Sequence, residues 1–418
     1  MKLRKVLAIV LVVAVLAAVG IALTACNDDE KKEEIVLPPY EKLENPDYSG
    51  LQIPADFKVG FIFLHDENST YDKNFIDAAN AATAALGLTQ EQVLFKNNIA
   101  ESEACYNAAR ELVDAGCDVI FADSFGHEDY MLQAAREFPA VQFCHATGTK
   151  AHIENVDNYH NAFADIYEGR YLAGIAAGMK LKEMYGDENG AVSDANAKMG
   201  YVGAFTYAEV ISGYTSFYLG AKSVVPNVTM DVTFTGSWYN ETAEREGANK
   251  LIAKGAKLIS QHADSMGAPS ACEQAGIPNV SYNGSTYSAC PNTFIVSSRI
   301  DWAPYFKYMI AQTVKGEAIV DDWCGTLATG SVVLTNLGAA AAEGTVEAIV
   351  AARTKLANGE LHVFDTKNFT VKGEACTTAV IDGTYEAVSD GYFHESEYRS
   401  APYFDLQIDG ITLLDTKF

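Results

Sequence analysis

The order of short apolar runs and Ala-rich amphipathic stretches is the feature that most constrains the fold of this chain. From Asp56 onward, short runs of apolar and β-branched residues alternate with longer stretches whose apolar positions recur with helical spacing. Strands that alternate with helices in this way pair in parallel, because each helix returns the chain to the same end of the sheet. The pattern therefore predicts an α/β fold built from βαβ units.

The predicted elements fall into two successive groups. The first group has strands at 58–64, 93–95, 119–121 and 141–144, separated by helices at 71–86, 102–115 and 128–138. The second group has strands at 200–204, 228–234, 258–261, 279–282 and 293–297, separated by helices at 209–224, 241–254 and 268–275. Between the groups, a helix at 167–182 is rich in Gly and Ala, which suits close packing near a junction. We therefore expect two doubly wound α/β lobes with a ligand cleft between them.

The amino-terminal segment has the features of an export signal. Lys2, Arg4 and Lys5 precede an apolar run at 6–23, whose 18 residues are just long enough to cross a bilayer as an uncleaved anchor. The run ends in Leu-Thr-Ala-Cys at 23–26, which resembles the lipobox of bacterial lipoproteins. We therefore predict that residues 1–25 are removed as a signal peptide and that Cys26 is lipidated. The lipid would hold the protein on the extracytoplasmic face of a bacterial cell membrane.

The residues after Cys26 predict a tether. The segment 27–50 is charged, contains consecutive prolines and shows no apolar periodicity. We therefore interpret 26–50 as a lipidated cysteine followed by a flexible link to the folded part.

Seven further cysteines follow Cys26, and none has the spacing of a metal site. Isolated buried thiols are the favoured interpretation for most of them. A disulfide between Cys272 and Cys290 remains an alternative, because such bonds form outside the cytoplasm. We predict no metal and no cofactor.

The charge balance excludes an extended basic surface for nucleic acid. The chain carries 55 acidic against 30 basic residues, a net charge of −25, and no clustered basic patch. A surface this acidic repels the phosphate groups of DNA and RNA, so we expect no nucleic-acid partner. The glycine-rich phosphate loops of nucleotide-binding enzymes and the G-x-S-x-G sequence of hydrolases are also absent from the sequence. These observations favour a binding protein over an enzyme.

The candidate site follows from the position of the strands. In open parallel sheets, ligands bind beyond the carboxyl ends of the strands, so the residues after each apolar run are the informative ones. Aromatic, carboxylate and amide side chains dominate there, which suits a flat heterocycle with hydrogen-bonding groups. The predicted ligand-binding residues are Tyr71, Asp72, Asn74, Asp123, Phe125, Thr147, Tyr207, Trp238, Asp264, Asn283, Arg299 and Trp302.

Four motifs resemble a known family. They are Phe-Ala-Asp-Ser-Phe-Gly at 121–126, Cys-His-Ala-Thr-Gly at 144–148, Tyr-Glu-Gly-Arg-Tyr-Leu-Ala-Gly at 167–174 and Gln-His-Ala-Asp-Ser at 261–265. In order and spacing they are similar to the basic membrane lipoprotein family, the solute-binding lipoproteins of ABC importers related to purine nucleoside receptors. The resemblance covers about 58–316, and 359–364 is similar to a late segment of the family.

The resemblance implies a type I periplasmic-binding-protein fold with three crossings between the lobes. It also implies a purine base or nucleoside as ligand, and ABC transporter permease and ATPase subunits as partners of a monomeric protein. The domain boundaries are then an amino-terminal lobe, a carboxy-terminal lobe, a return to the first lobe with the hinge, and a final segment that completes the lobes, at 51–165, 166–297, 298–340 and 341–418.

The resemblance also assigns roles to individual residues. Tyr71 falls at the family's base-stacking position, with Asp72 or Asn74 as a polar contact. The family's second stacking ring falls at Gly213, so Trp238 or Trp302 is expected to replace it.

The family's ribose-binding Asp falls near Asn283, and Arg299 lies near the position of a missing Lys. Both departures favour a free base over a nucleoside, and the motifs at Trp238 and Trp302 resemble the branch of the family associated with free adenine. A purine nucleoside-processing enzyme and a sensory receptor domain of the same fold are the alternative functions.

Overall fold

The computed structural model describes residues 34–44 and 46–415. The predicted signal cleavage and the lipidation of Cys26 therefore lie outside the described residues. Within the described ranges, no helix combines the length and the apolar composition needed to cross a bilayer.

The amino-terminal lobe is a parallel sheet covered by helices. Its strands are β1 (Val59–Ile62), β2 (Val93–Lys96), β3 (Val119–Ala122), β4 (Gln142–Ala146), β5 (Tyr159–Ala164) and β11 (Asp322–Gly325). Its helices are α1 (Thr70–Ala85), α2 (Glu103–Asp114), α3 (Glu128–Glu137), α4 (Ala151–Glu154) and α9 (Ala303–Lys315), with 3₁₀ turns at Gln90–Gln92 and Phe125–His127. The strand order is β11-β5-β4-β3-β1-β2, and every neighbouring pair is parallel.

The carboxy-terminal lobe repeats this arrangement. Its strands are β6 (Lys198–Gly203), β7 (Thr229–Phe234), β8 (Leu258–Gln261), β9 (Asn279–Tyr282), β10 (Phe294–Ile300), β12 (Val332–Leu334) and β19 (Ile411–Leu413). Its helices are α5 (Ile166–Tyr185), α6 (Ala208–Val224), α7 (Glu241–Ala253), α8 (Gly267–Ala275) and α10 (Thr345–Ala357). The order is β12-β10-β9-β8-β6-β7-β19, and the pair β10–β12 is antiparallel. The expected pair of doubly wound lobes is confirmed.

The chain passes between the two sheets at three places in the described residues. It crosses after β5, after β10 and again between β11 and β12. The crossings are joined by backbone hydrogen bonds, from Asp165 N to Gly325 O (2.8 Å) and from Asp301 N to Ser331 O (2.7 Å). Within the predicted return over 298–340, α9 and β11 belong to the first lobe, whereas the end of β10 and all of β12 belong to the second sheet.

Part of the segment before β1, for which a flexible tether over 26–50 was expected, is joined to the fold, while residues 26–33 lie outside the described residues. Ile35 and Leu337 exchange two backbone hydrogen bonds of 2.7 and 2.9 Å. The guanidinium of Arg353 donates to the carbonyl oxygens of Pro38 (2.9 Å) and Pro39 (3.1 Å). The prolines lack an N–H but keep their carbonyl acceptors, so a buried Arg fixes this segment to the fold.

The carboxy-terminal segment contains elements that the periodicity did not predict. After α10, which packs against α5, come three small hairpins: β13 (Thr370–Val371) with β14 (Glu374–Ala375), β15 (Val380–Ile381) with β16 (Tyr385–Glu386), and β17 (Val388–Ser389) with β18 (Tyr392–Phe393). The chain then adds β19 beside β7.

The cysteines of the described residues are free thiols. Cys105, Cys117, Cys144, Cys272, Cys290 and Cys376 are buried, and Cys324 is half-buried. The alternative of a bond between Cys272 and Cys290 is not present in this structure.

Glycines allow α5 and α6 to pack backbone against backbone. A side chain built at Gly220 of α6 would overlap the carbonyl oxygen of Tyr171, and one at Gly174 of α5 would overlap the carbonyl oxygen of Phe217. The atoms in the way belong to the backbone, so only a shift of a whole helix could relieve the overlap. This pair of helices supports the second lobe and the first crossing.

We predict that Gly220→Ala lowers the free energy of unfolding by ~1–3 kcal/mol, the usual cost of overpacking. Gly213→Ala is the matched control in α6, because a methyl group there would make ordinary contacts, the nearest at 3.4 Å to His262. The control should be neutral or slightly stabilising, since Ala favours a helix more than Gly does. Denaturant unfolding measures both variants, and equal stability of the two would refute the packing argument.

Candidate functional site

The two sheets share one topology, and that topology locates the site. In each lobe, the first strand is flanked by the second on one side and by the third on the other: β2-β1-β3 and β7-β6-β8. At such a switch point the loops after the first and third strands diverge and leave a crevice at the carboxyl ends. The two crevices face one another across a cavity of about 430 Å³.

The cavity is lined by the loops that follow the strands and by part of the carboxy-terminal segment. The lining residues from the first lobe are Leu64, His65, Tyr71, Asp72, Ser124, Phe125, Thr147 and Thr149. Those from the second lobe are Thr206, Tyr207, Ala208, Glu209, Ile211, Trp238, His262, Asp264 and Asn283. The carboxy-terminal segment adds Arg399, Ala401, Pro402 and Asp405.

Aromatic rings from both lobes face this space. The Tyr71 hydroxyl donates to the carbonyl oxygen of Asp123 (2.7 Å), which fixes the ring at the start of α1. The rings of Phe125 and Tyr207 stack across the cleft, with centroids 5.1 Å apart and planes 29° apart. Tyr207 and Trp238 lie 5.9 Å apart on the second lobe, so the cavity has flat apolar surfaces on two sides.

Three buried carboxyl groups lie in or under the cavity, and their environments differ. Burial opposes ionisation of Asp72, but hydrogen bonds from His65 and Ser69 hold its pKa below the usual value. Burial and the nearby charge of Asp72 raise the pKa of Asp123 well above its usual value. Burial and the same charge also raise the pKa of Asp264, against a hydrogen bond from the amide of Asn283 (3.0 Å).

A polar chain runs from the cavity into the core of the second lobe. His262 Nε2 lies 2.7 Å from Glu209 Oε2, and the Tyr282 hydroxyl donates to Glu209 Oε1 (3.2 Å). Beneath them, the fully buried guanidinium of Arg170 donates to the Tyr201 hydroxyl and lies 4.5 Å from the Tyr282 ring centroid. Tyr282 therefore contacts both the carboxylate of Glu209 at the cavity wall and the guanidinium of Arg170 in the core.

Two residues of the lining have unusual backbone conformations. Thr147 has φ 65° and Asn283 has φ 66°, a region that a β-branched residue such as Thr rarely adopts. Strained residues of this kind persist where the surrounding structure holds them, and they concentrate at ligand sites.

The structure places the predicted site residues in four groups. The residues that line the cavity are Tyr71, Asp72, Phe125, Thr147, Tyr207, Trp238, Asp264 and Asn283. Asp123 is completely buried beneath it. Asn74 and Arg299 line a second cavity of about 670 Å³, where Asn74 donates to Ile300 O (2.6 Å) and so links the two lobes.

Trp302 lies in the hydrophobic core, 1% exposed, and lines neither cavity. Its ring stacks on Phe75, with centroids 4.5 Å apart and an interplanar angle of 22°. Of the two expected sources of a second stacking ring, Trp238 is therefore the one that faces the cavity.

Sequence reasoning missed Glu209, Arg399, Ala401, Pro402 and Asp405. Glu209 lies in the first turn of α6, the helix that follows β6, so the expectation that ligands bind beyond strand ends could have identified it. The other four come from a segment without periodicity, and no signal in the sequence connects them to the cleft.

Comparisons with known proteins agree with this architecture. Residues 61–367 match the Bmp family, described as ABC transporter substrate-binding protein PnrA-like. A purine-binding protein of Brucella abortus is 32% identical over 252 residues, which are 60% of this chain and 66% of that protein. A putative ABC transporter glucose-binding protein of Haloferax volcanii is 32% identical over 247 residues, 59% of each chain. The chain thus covers less than two thirds of the length of either relative.

A solved structure supports the fold. The solute-binding protein of an ABC transporter system from Conexibacter woesei superposes with a TM-score of 0.58 at 22% identity, over 73% of this chain and 98% of that one. The predicted periplasmic-binding-protein fold is confirmed.

We predict that Asp123→Asn makes the stability of the protein less dependent on pH. The folded-state pKa of Asp123 lies above the usual 3.8, so its contribution is fully present below that pH and is lost as the pH rises through the folded-state pKa. Asparagine does not titrate, so the variant should lose less stability than the wild type as the pH is raised above the usual carboxyl pKa.

Thermal melts at several pH values measure this difference. The matched control is Asp114→Asn, at an exposed position at the end of α2, which should follow the wild-type profile. An unchanged profile for Asp123→Asn would show that this carboxyl group does not contribute to the pH dependence of stability.

Proposed function

The chain belongs to the Bmp family of PnrA-like ABC transporter substrate-binding proteins, and from this premise we propose that it delivers a purine base or nucleoside to an ABC importer. We favour an adenine-like base as the ligand. The protein binds its ligand without chemical turnover, as a monomer, and passes it to permease and ATPase subunits.

The observation that carries this proposal is the set of aromatic rings around the interlobe cavity. Its volume, about 430 Å³, lies in the ordinary range for small-molecule sites. Tyr71 comes from one lobe, and Tyr207 and Trp238 come from the other. Closure of the lobes on a flat ring brings apolar surface against both of its faces, which is worth ~0.5–1.5 kcal/mol per aromatic pair beyond burial.

The polar groups favour a ligand rich in N–H donors. Asp72, Glu209, Asp264 and Asp405 give the wall several carboxyl acceptors. A purine base offers ring and exocyclic N–H groups to such acceptors, whereas a phosphate group would be repelled by the ionised ones. The proposal therefore covers bases and nucleosides but not nucleotides.

A free base fits the polar groups better than a nucleoside does. Asn283 stands near the position where the resemblance places a ribose-binding carboxylate. Its amide nitrogen already donates to Asp264, 3.0 Å away, and this bond reduces what the side chain can offer to ribose hydroxyls.

The relatives support the ligand class unequally. The Brucella abortus protein is named as purine-binding, which favours the proposal, and the Haloferax volcanii protein is named as putatively glucose-binding. Aromatic rings also stack on sugars, so glucose is the informative competitor in a binding experiment.

We predict that calorimetry detects adenine binding and that Tyr71→Ala weakens it at least ~10-fold. Loss of a stacking ring removes both the aromatic contact and buried apolar area, and ~1.4 kcal/mol corresponds to a factor of ten. Tyr71→Phe is the matched control: it keeps the ring and removes only the hydroxyl that donates to Asp123 O. It should bind within a few-fold of the wild type.

The ligand panel contains adenine, adenosine, guanosine, inosine and glucose, and each compound is analysed after incubation to check that it is unchanged. Binding of glucose without binding of any purine would refute the ligand class. Release of free base from a nucleoside would refute a role without turnover.

We further propose that the mature protein begins at lipidated Cys26, as the Leu-Thr-Ala-Cys sequence at 23–26 suggests. Intact-mass analysis of the membrane fraction should find a chain without residues 1–25 and with added acyl mass. Cys26→Ala should lose the acyl mass and retain the leader. A Cys26→Ala protein that matches the wild type in both respects would contradict lipidation.

A further inference from the structure

The carboxy-terminal extension, defined as residues 368–415, lies beyond the part of the chain that matches the family. It nevertheless supplies one side of the cavity through Arg399, Ala401, Pro402 and Asp405. The ligand site of this protein therefore includes residues from a segment that the family resemblance does not cover.

The extension is held in place by both lobes. On the first lobe, Ser400 N donates to Asp322 Oδ2 of β11 (2.8 Å). On the second lobe, the Tyr214 hydroxyl of α6 donates to Gln407 Oε1 (3.3 Å), and β19 completes the sheet beside β7. These contacts fix the position of the extension relative to the cleft from two directions.

Arg399 is the one Lys or Arg side chain among the described residues that line the cavity. Its side chain is 11% exposed, and Nη1 donates to Asp382 Oδ2 (2.6 Å). The guanidinium also lies 5.9 and 5.5 Å from the ring centroids of Tyr398 and Tyr403. The group is thus anchored by an ion pair and by two aromatic rings of the extension itself.

One donor of this guanidinium has no partner. Nε of Arg399 is buried and makes no hydrogen bond to any described residue. Buried donors in folded proteins are almost always paired, and the side chain that carries this unpaired N–H also lines the cavity. The planar guanidinium presents several N–H groups in a fixed arrangement, so a small rotation brings a donor to an acceptor in the cavity.

We propose that Arg399 is a specificity-determining residue that donates a hydrogen bond to an acceptor atom of the bound ligand. For adenine, that acceptor is a ring nitrogen. The carboxyl groups of the other walls accept hydrogen bonds from the N–H groups of the same ring. Arg399 adds the requirement that the ligand carry an acceptor atom on the side that faces the extension. This inference rests on the proposed purine ligand.

The test compares adenine with 1-deaza-, 3-deaza- and 7-deazaadenine, each of which replaces one ring nitrogen by C–H. Wild-type protein should bind one of the three at least ~10-fold more weakly than adenine, because a charged donor then faces no acceptor. In Arg399→Ala that difference should disappear, while adenine itself binds at least ~10-fold more weakly than to the wild type. If the wild type prefers adenosine, the corresponding deazaadenosines are used.

Two further variants distinguish loss of the hydrogen bond to the ligand from a general disturbance of the structure. Arg399→Lys keeps the charge without the planar fork, and Arg136→Ala removes an Arg on the outside of the first lobe that pairs with Glu154. The Lys variant should show reduced discrimination between adenine and the deaza analogue, and the Arg136 variant should show wild-type discrimination. Each variant is checked by thermal melting.

The outcomes separate the two proposals. If the wild type binds no purine, the proposed function fails and this inference falls with it. If the wild type binds adenine but treats all four bases alike, or if the Lys and Ala variants keep the wild-type discrimination, purine binding stands and the role of Arg399 is overturned.

Discussion

The structure depends on one constraint: the loops after the strands of a parallel sheet all emerge at the same edge. In both lobes the first strand has the second and third as neighbours, so the chain leaves a crevice at that edge. The three crossings then turn the two edges toward each other. Everything that faces the cavity, apart from the carboxy-terminal extension and the first turns of α1 and α6, follows a strand of one sheet or the other.

The placement of charge at this edge follows from burial. Asp72 sits at the start of α1, where His65 N and the Ser69 hydroxyl donate to it, and these bonds keep a buried carboxylate ionised. Asp123 and Asp264 lie near that charge and are themselves buried, so both favour the neutral form. Asp72 and Asp264 line the cavity, so its wall combines an ionised carboxylate, which only accepts hydrogen bonds, with a carboxyl group shifted toward the neutral form, which can also donate one.

The sequence predicted where the strands end, but it did not predict in which direction each side chain after a strand points. The residues that were predicted from strand ends and that line the cavity include Tyr71, Phe125, Tyr207, Trp238 and Asp264. Periodicity located the strands, and ligands bind beyond their carboxyl ends. Trp302 shows the limit of that rule: it follows β10 but lies in the core against Phe75. The direction of the Trp302 side chain depends on how α9 packs on α1, and no local sequence pattern contains this tertiary contact.

The elements of the carboxy-terminal extension could not be predicted from hydrophobic periodicity, and the reason is physical. Its hairpins are two residues long per strand, and its core is built from rings that are distant in sequence, such as Phe369 and Phe404, whose centroids lie 5.9 Å apart. Ser400 and Gln407 attach this aromatic unit to opposite lobes. A change in the angle between the lobes must therefore strain one attachment or move the extension, and movement of the extension displaces Arg399 relative to the cavity. The geometry of the cleft and the position of its cation are consequently coupled through a segment that lies beyond the family match.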